Sequence, residues 1–189
     1  MIYETQLFPQ YEINFSRVWA MPNKATFKIK PIQKLLKEYV GDGKNWIDPF
    51  AGENSPAEIT NDLNPEKPTT HHLYAHEFAE QLQGKYYGVL FDPPYNLTQI
   101  KRCYDSIGAD YPTDWDLDAS FGKVKDILQN KIVKNGIAIS FGWSSQGFGK
   151  SRGFEIEEIM LVPHGGHHYD TIVTVERKVR FVNKKRRTS

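Results

Sequence analysis

The chain has 189 residues, with 24 lysines and arginines against 23 aspartates and glutamates, and a formal net charge of +1. That length holds one domain with a sizeable core, and the near-neutral balance excludes a protein that gathers nucleic acid by bulk charge alone. A single cysteine, Cys103, excludes an internal disulfide and suits a reducing compartment, so a cytoplasmic setting is expected; no apolar run approaches the ~20 residues of a membrane span, and the opening stretch lacks the basic start and apolar centre of a secretory leader.

In chain order, residues 1–26 read as irregular. From Pro31 the apolar positions Ile32, Leu35, Leu36 and Tyr39 fall on one helical face, with Pro31 suited to the first turn and Gly41 to the stop. Trp46-Ile47-Asp48 reads as a short buried strand ended by Pro49, and residues 57–61 as a second strand. A weak helix is expected over about 71–83, then a strand over 86–91. Residues 96–120 look polar and loop-like, with room for a short helix near 98–106. Val124, Ile127, Leu128 and Ile132 mark a firmer helix. Asn135-Gly136 turns into a strand over 137–141, and two late strands, 154–162 and 171–178, flank the turn-rich stretch 164–170. Strands alternating with helices predict an α/β protein with a mostly parallel sheet. The last two strands have no helix between them and should form an antiparallel hairpin.

The stretch Asp92-Pro93-Pro94-Tyr95 follows the apolar run Val89-Leu90-Phe91 at the carboxyl end of an expected strand, where open α/β sheets bind their ligands. Two consecutive prolines fix φ and remove two backbone donors. The carbonyls of Asp92 and Pro93 are then rigidly held acceptors, and Tyr95 offers a flat face for a planar group. Asp48-Pro49-Phe50-Ala51-Gly52 follows an earlier strand, with a glycine that permits close ligand approach. Asp62 follows the next strand, where dinucleotide-binding units hold ribose hydroxyls.

These segments together resemble the amino-group DNA methyltransferases that use S-adenosylmethionine, over about residues 24–178. Runs such as Thr60-Asn61-Asp62-Leu63-Asn64-Pro65, Phe141-Gly142-Trp143 and Arg152-Gly153-Phe154-Glu155 bring the chain closer to small adenine methyltransferases of phages and mobile elements. The resemblance implies a Rossmann-like methyltransferase fold; the chain reads as one such domain, 1–189, with a basic tail at 179–189, and no separate target-recognition domain is expected. It implies that Asp92, Pro93, Pro94 and Tyr95 carry the chemistry. It implies a cofactor site from Asp48, Pro49, Phe50, Ala51 and Gly52, from Asp62 and Leu63, and from Phe27, Lys30 and Pro31 in the segment leading into the first helix. Glu77, with Phe78 beside it, is the candidate for contact with the adenine ring of the cofactor. An aspartate at the head of the tetrapeptide favours the N6 amine of adenine within this family. DNA is the expected partner, with RNA, cytosine N4 and a catalytically silent binding module left open.

Two departures from the family pattern stand out. Glu53-Asn54-Ser55 follows Gly52 where further glycine is usual, and little chain is left for target recognition, so a second copy or a partner is a possible source of it. Asn96, Trp143, His164 and His167 are further candidates for contact with the substrate. The histidines show no metal-ligand spacing and no metal is expected. The basic residues Lys178, Arg180, Lys184, Lys185, Arg186 and Arg187 read as a solubilising end or as phosphate contacts.

Overall fold

The computed structural model describes residues 12–110 and 121–182. Among these, seven strands form one sheet. They are β1 (Asn14–Arg17), β2 (Trp46–Asp48), β3 (Ile59–Thr60), β4 (Tyr86–Phe91), β5 (Ile132–Gly142), β6 (Phe154–Val162) and β7 (Thr171–Lys178), in the spatial order β1-β6-β7-β5-β4-β2-β3. The pairs β1–β6, β2–β3, β2–β4 and β4–β5 are parallel. β7 runs antiparallel to both neighbours, β5 and β6, as a helix-free connection requires. The helices are α1 (Lys30–Tyr39), α2 (Ala75–Gln81), α3 (Leu97–Ile107) and α4 (Gly122–Leu128).

Both faces of the sheet are covered, which is why β4 is a continuous apolar run rather than an alternating one. Leu90 faces α1, where Ile32, Leu35 and Leu36 pack with Trp46, Ile139 and Val175. Its neighbours Val89 and Phe91 face the opposite layer, with Phe78, Leu82, Val124 and Leu128. Gly88 is the exception within β4: a side chain there would meet the Trp46 ring at 2.5 Å, so the glycine makes room for the indole. α1 begins at Lys30, with Pro31 in its first turn and no side-chain cap, and Gly41 turns left-handed at φ +62° just past its end. No helix among the described residues is long and apolar enough to cross a membrane.

The structure corrects the sequence reading in four places. Residues 14–17, expected to be irregular, form β1, an edge strand whose pairing with β6 supplies the order that its own polar alternation hides. The helix expected near 98–106 is the longer α3, capped by the Asn96 side chain on the Gln99 amide and stopped by left-handed Gly108; residues 111–120 lie outside the described residues. β5 starts at Ile132, before the Asn135-Gly136 pair, because the pair sits in a bulge inside the strand: Asn135 has φ +66° and a side chain at Gly136 would meet the Tyr87 carbonyl at 2.4 Å. Lys178 is no part of a solvated tail. It is fully buried, with Nζ donating to the carbonyls of Gln129 at 2.7 Å and Arg152 at 3.1 Å over the Phe154 ring. Lys184, Lys185, Arg186 and Arg187 lie outside the described residues.

Candidate active site

The chain leaves β2, pairs β3 on one side of it and returns to pair β4 on the other. This reversal opens a crevice at the carboxyl ends of β2 and β4, and the residues that follow those two strands build the site. After β2, Asp48 is fully buried and turned into its own loop. Its Oδ1 accepts from the Phe50 amide at 2.9 Å and its Oδ2 from the Ser55 hydroxyl at 2.7 Å. Ser55 therefore fastens the loop across the stretch where the family pattern has glycine. Burial pushes the Asp48 carboxyl up to about 7 against the pull of these two bonds, with Asp92 and Asp62 adding like charge.

After β3, Asp62 holds both ends of the crevice floor. Its Oδ2 accepts from the amide of Gly52, which is left-handed at φ +57°, at 3.0 Å, and its Oδ1 from the Asn64 amide at 2.8 Å. Beside it Asn61 is a buried hub. Its amide donates to the carbonyls of Pro49 at 3.1 Å and Leu73 at 2.9 Å, and its oxygen accepts from the Leu73 amide at 2.9 Å. One side chain thus ties the segment after β2 to the segment before α2.

After β4 comes the tetrapeptide. Tyr95 donates from its hydroxyl to Asp92 Oδ1 at 2.5 Å, and Thr26 adds a side-chain hydrogen bond to the same carboxylate. Burial raises the Asp92 carboxyl to about 6 despite both bonds. Burial and the neighbouring carboxylate push the Tyr95 phenol well above its ordinary value, so it stays a donor. The Tyr95 amide donates to Gln99 Oε1 at 2.6 Å, which pins the tetrapeptide to the first turn of α3. The Pro93 carbonyl accepts no hydrogen bond from the described residues.

These elements surround a cleft of about 830 Å³, within the ordinary size of a small-ligand site. Of the residues singled out in the sequence, Pro49, Phe50, Asp62, Leu63, Asp92, Pro93, Pro94, Tyr95, Trp143, His164 and His167 line it. Asp48, Ala51 and Gly52 shape the loop from behind. Phe27 is buried against Phe141, with ring centroids 5.1 Å apart, and Lys30 and Pro31 border a separate groove. Glu77 does not line the cleft; it reaches back to the Tyr74 amide at 3.2 Å as the N-terminal cap of α2, while Phe78 is core. Tyr74 and Ala75 line that wall instead. Asn96 is the cap of α3.

The opposite wall is aromatic. Trp143, just after β5, lies edge-on to Tyr95 at 5.5 Å and tilted on Tyr169 at 4.3 Å between ring centroids. His164 is buried, with Nδ1 2.9 Å from the Ala20 carbonyl and Nε2 2.8 Å from the Thr171 hydroxyl. A carbonyl only accepts, so Nδ1 carries a proton and donates to Ala20. The sequence reading missed Asn61, Thr26, Gln99 and Tyr169. Gln99 had a legible signal, four residues after Tyr95 on a helix; the other three depend on contacts between segments distant in the chain.

Asp48, Asp62 and Asp92 bring three carboxylates to one crevice. Among the described residues they do not converge as a metal-binding group. Lys24, Lys67 and Arg102 line the same cleft, so the carboxylates set the charge only locally, at the strand ends.

The fold is the Rossmann-like fold of S-adenosylmethionine-dependent methyltransferases. The chain superposes on TrmN from Thermus thermophilus with a TM-score of 0.52 at 15% identity, over 82% of this chain and 52% of that one. It thus spans about half the length of that protein. The 1,6-didemethyltoxoflavin-N1-methyltransferase of Burkholderia thailandensis, solved with its substrate and S-adenosylhomocysteine, gives a TM-score of 0.52 at 13% identity, over 80% of this chain and 78% of that one. At these identities the likeness is one of fold. No protein-family model matches the chain, and no curated protein does.

Proposed function

We propose that this protein is an S-adenosylmethionine-dependent methyltransferase that acts on the N6 amine of adenine in DNA. The observation that carries the proposal is the pair of acceptors at the end of β4: the half-buried Asp92 carboxylate and the unbonded Pro93 carbonyl, both on the cleft. An exocyclic amine conjugated to a ring is a poor nucleophile because its lone pair is delocalised. Accepting its two N–H bonds at Asp92 and Pro93 draws the nitrogen towards tetrahedral geometry and frees the lone pair. Tyr95 and Trp143 offer aromatic surface to a base that must leave its stack to reach this depth. Catalysis of this kind is positioning and electrostatic preorganisation, with no covalent intermediate on the protein.

The residues present fit the cofactor. In this reading Asp62 would meet ribose hydroxyls, and the Asp48 loop with its left-handed Gly52 would allow close backbone approach. When bound, the cofactor supplies an electrophilic methyl group on a positively charged sulfur. An amine that took up that methyl group would shed one proton. Asp92, titrating at about 6, can hold that proton before it passes to solvent.

The test is transfer of labelled methyl groups to DNA, with mass analysis of the released nucleosides. N6-methyladenine is expected, and Asp92→Ala should abolish transfer while calorimetry still detects cofactor binding. Modified cytosine or modified RNA alone would move the substrate; bound cofactor with no transfer to any nucleic acid would mark a silent binding module.

A further inference from the structure

The N-terminal strand and the helix after it enclose a second cavity of about 880 Å³, separate in lining from the catalytic cleft except at Pro22, Asn23 and Ile29, where the two meet. Between α1 and the β1–β6 edge lies a groove whose floor is apolar: Val18, Ala20, Leu35 and Met160. Its rim is different. Trp19 stands 58% exposed, and Lys28, Lys30 and Lys34 project along one side in exposed positions without an ion pair among the described residues. An exposed indole beside unneutralised lysines is the combination that a nucleic-acid strand uses, a base on the ring and phosphates on the cations.

The groove is tied to the catalytic cleft by construction. Val18 and Ala20 donate to the carbonyls of Leu161 and Pro163, and His164 bonds the Ala20 carbonyl, so this segment is fixed to the turn between β6 and β7. The Trp19 indole nitrogen is the atom a side chain at Gly165 would meet, at 3.5 Å. From there the same turn supplies His167 and Tyr169 to the cleft, and Tyr169 packs on Trp143. Trp19 therefore stands against the turn that brings His167 and Tyr169 to the cleft.

Resting on the reading of the site as a nucleic-acid methyltransferase, we propose that this groove holds a single-stranded flank of the substrate, with a base stacked on Trp19 and backbone phosphate at Lys34. Two acidic residues also line the groove, Glu38 and Glu158, the latter accepting from the Tyr39 hydroxyl at 2.8 Å, and the three lysines outnumber them.

The test is binding of a labelled, adenine-containing single strand to the full chain, measured by anisotropy across a salt series. Trp19→Ala should weaken binding about tenfold or more, the size of one base–aromatic stack, and Trp19→Phe should restore most of it. Lys34→Gln should flatten the dependence of log affinity on log salt by roughly 0.7, as loss of one phosphate contact on a single strand does. Affinity for S-adenosylmethionine should be unchanged in all three. Wild-type affinity and salt slope in Trp19→Ala and Lys34→Gln would overturn the groove proposal, and continued methyl transfer would leave the catalytic reading standing. Binding lost in the variants, with no transfer by the parent protein, would uphold the groove and sink the catalytic reading. No binding of any strand by the parent, or a change of molecular mass in light scattering on Trp19→Ala, would also overturn the proposal, the latter by assigning the face to contact between copies.

Discussion

Replacing Asp48 by asparagine should stabilise the protein at alkaline pH. Asp48 is fully buried and its carboxyl is raised from 3.8 to about 7, chiefly by burial. A raised carboxyl favours the folded state while it is protonated, so this contribution is complete below about pH 4 and is lost as pH rises to 7. Each pH unit between the two values corresponds to about 1.4 kcal/mol. Ionised Asp48 therefore lowers stability by about 4 kcal/mol relative to a neutral group, a large share of the ~5–15 kcal/mol that holds a domain together. Asparagine keeps the shape, accepts from the Phe50 amide through its oxygen, and can donate to Ser55 Oγ, which now need not donate. Urea denaturation followed by the emission of buried Trp46 would measure the effect. Asp48→Asn should be more stable than the parent at pH 8 by several kcal/mol, with a flatter profile between pH 4 and 7. A variant less stable than the parent at pH 8 would refute the reasoning, because it would show that the carboxylate gives the loop more in hydrogen bonds than it loses in burial.

Two further outcomes follow from the site. Asp92 must be ionised to accept both the Tyr95 hydroxyl and a substrate amine, so kcat/KM should fall below about pH 6; Tyr95→Phe removes a bond that lowers Asp92 and should move this acid limb to higher pH in a rate–pH profile. Asn61→Ala strips three hydrogen bonds from buried or part-buried groups and orphans two carbonyls, which should cost about 3 kcal/mol or more in urea denaturation and weaken cofactor binding in calorimetry, since the loops on both sides of the crevice lose their common tie.

What the sequence disclosed and what it hid divide along a physical line. The strands over 46–48, 86–91, 154–162 and 171–178 were legible because burial on one or both faces leaves a period in the residues themselves. The tetrapeptide was legible because two prolines constrain the backbone wherever they stand. β1 was not, because an edge strand exposed at Phe15 takes its order from β6 and carries no buried stripe of its own. Lys178 was misread for a related reason: its charge suggests solvent, and only the carbonyls of Gln129 and Arg152, far away in the chain, satisfy it inside. Glu77 was sought as a ligand contact on the strength of its position, and its own helix terminus uses it.

The departure in the loop after β2 has a similar explanation. A glycine-rich loop achieves its shape by freedom and is then ordered by the ligand. Here Ser55 and Asp48 close the loop in advance, Asp62 receives the Gly52 amide across it, and Asn61 braces it from below. The shape is held by side chains rather than selected from a flexible ensemble, so less ordering entropy remains to be lost when a ligand arrives. Burial raises Asp48 to about 7, with Asp92 and Asp62 adding a smaller like-charge push, and burial alone raises Asp92 to about 6. A cation entering the crevice would favour the ionised forms of both, so ligand binding should release protons near neutral pH. The loop that departs from the family pattern thus couples the state of its own latch, Asp48, to the charge of what the crevice holds.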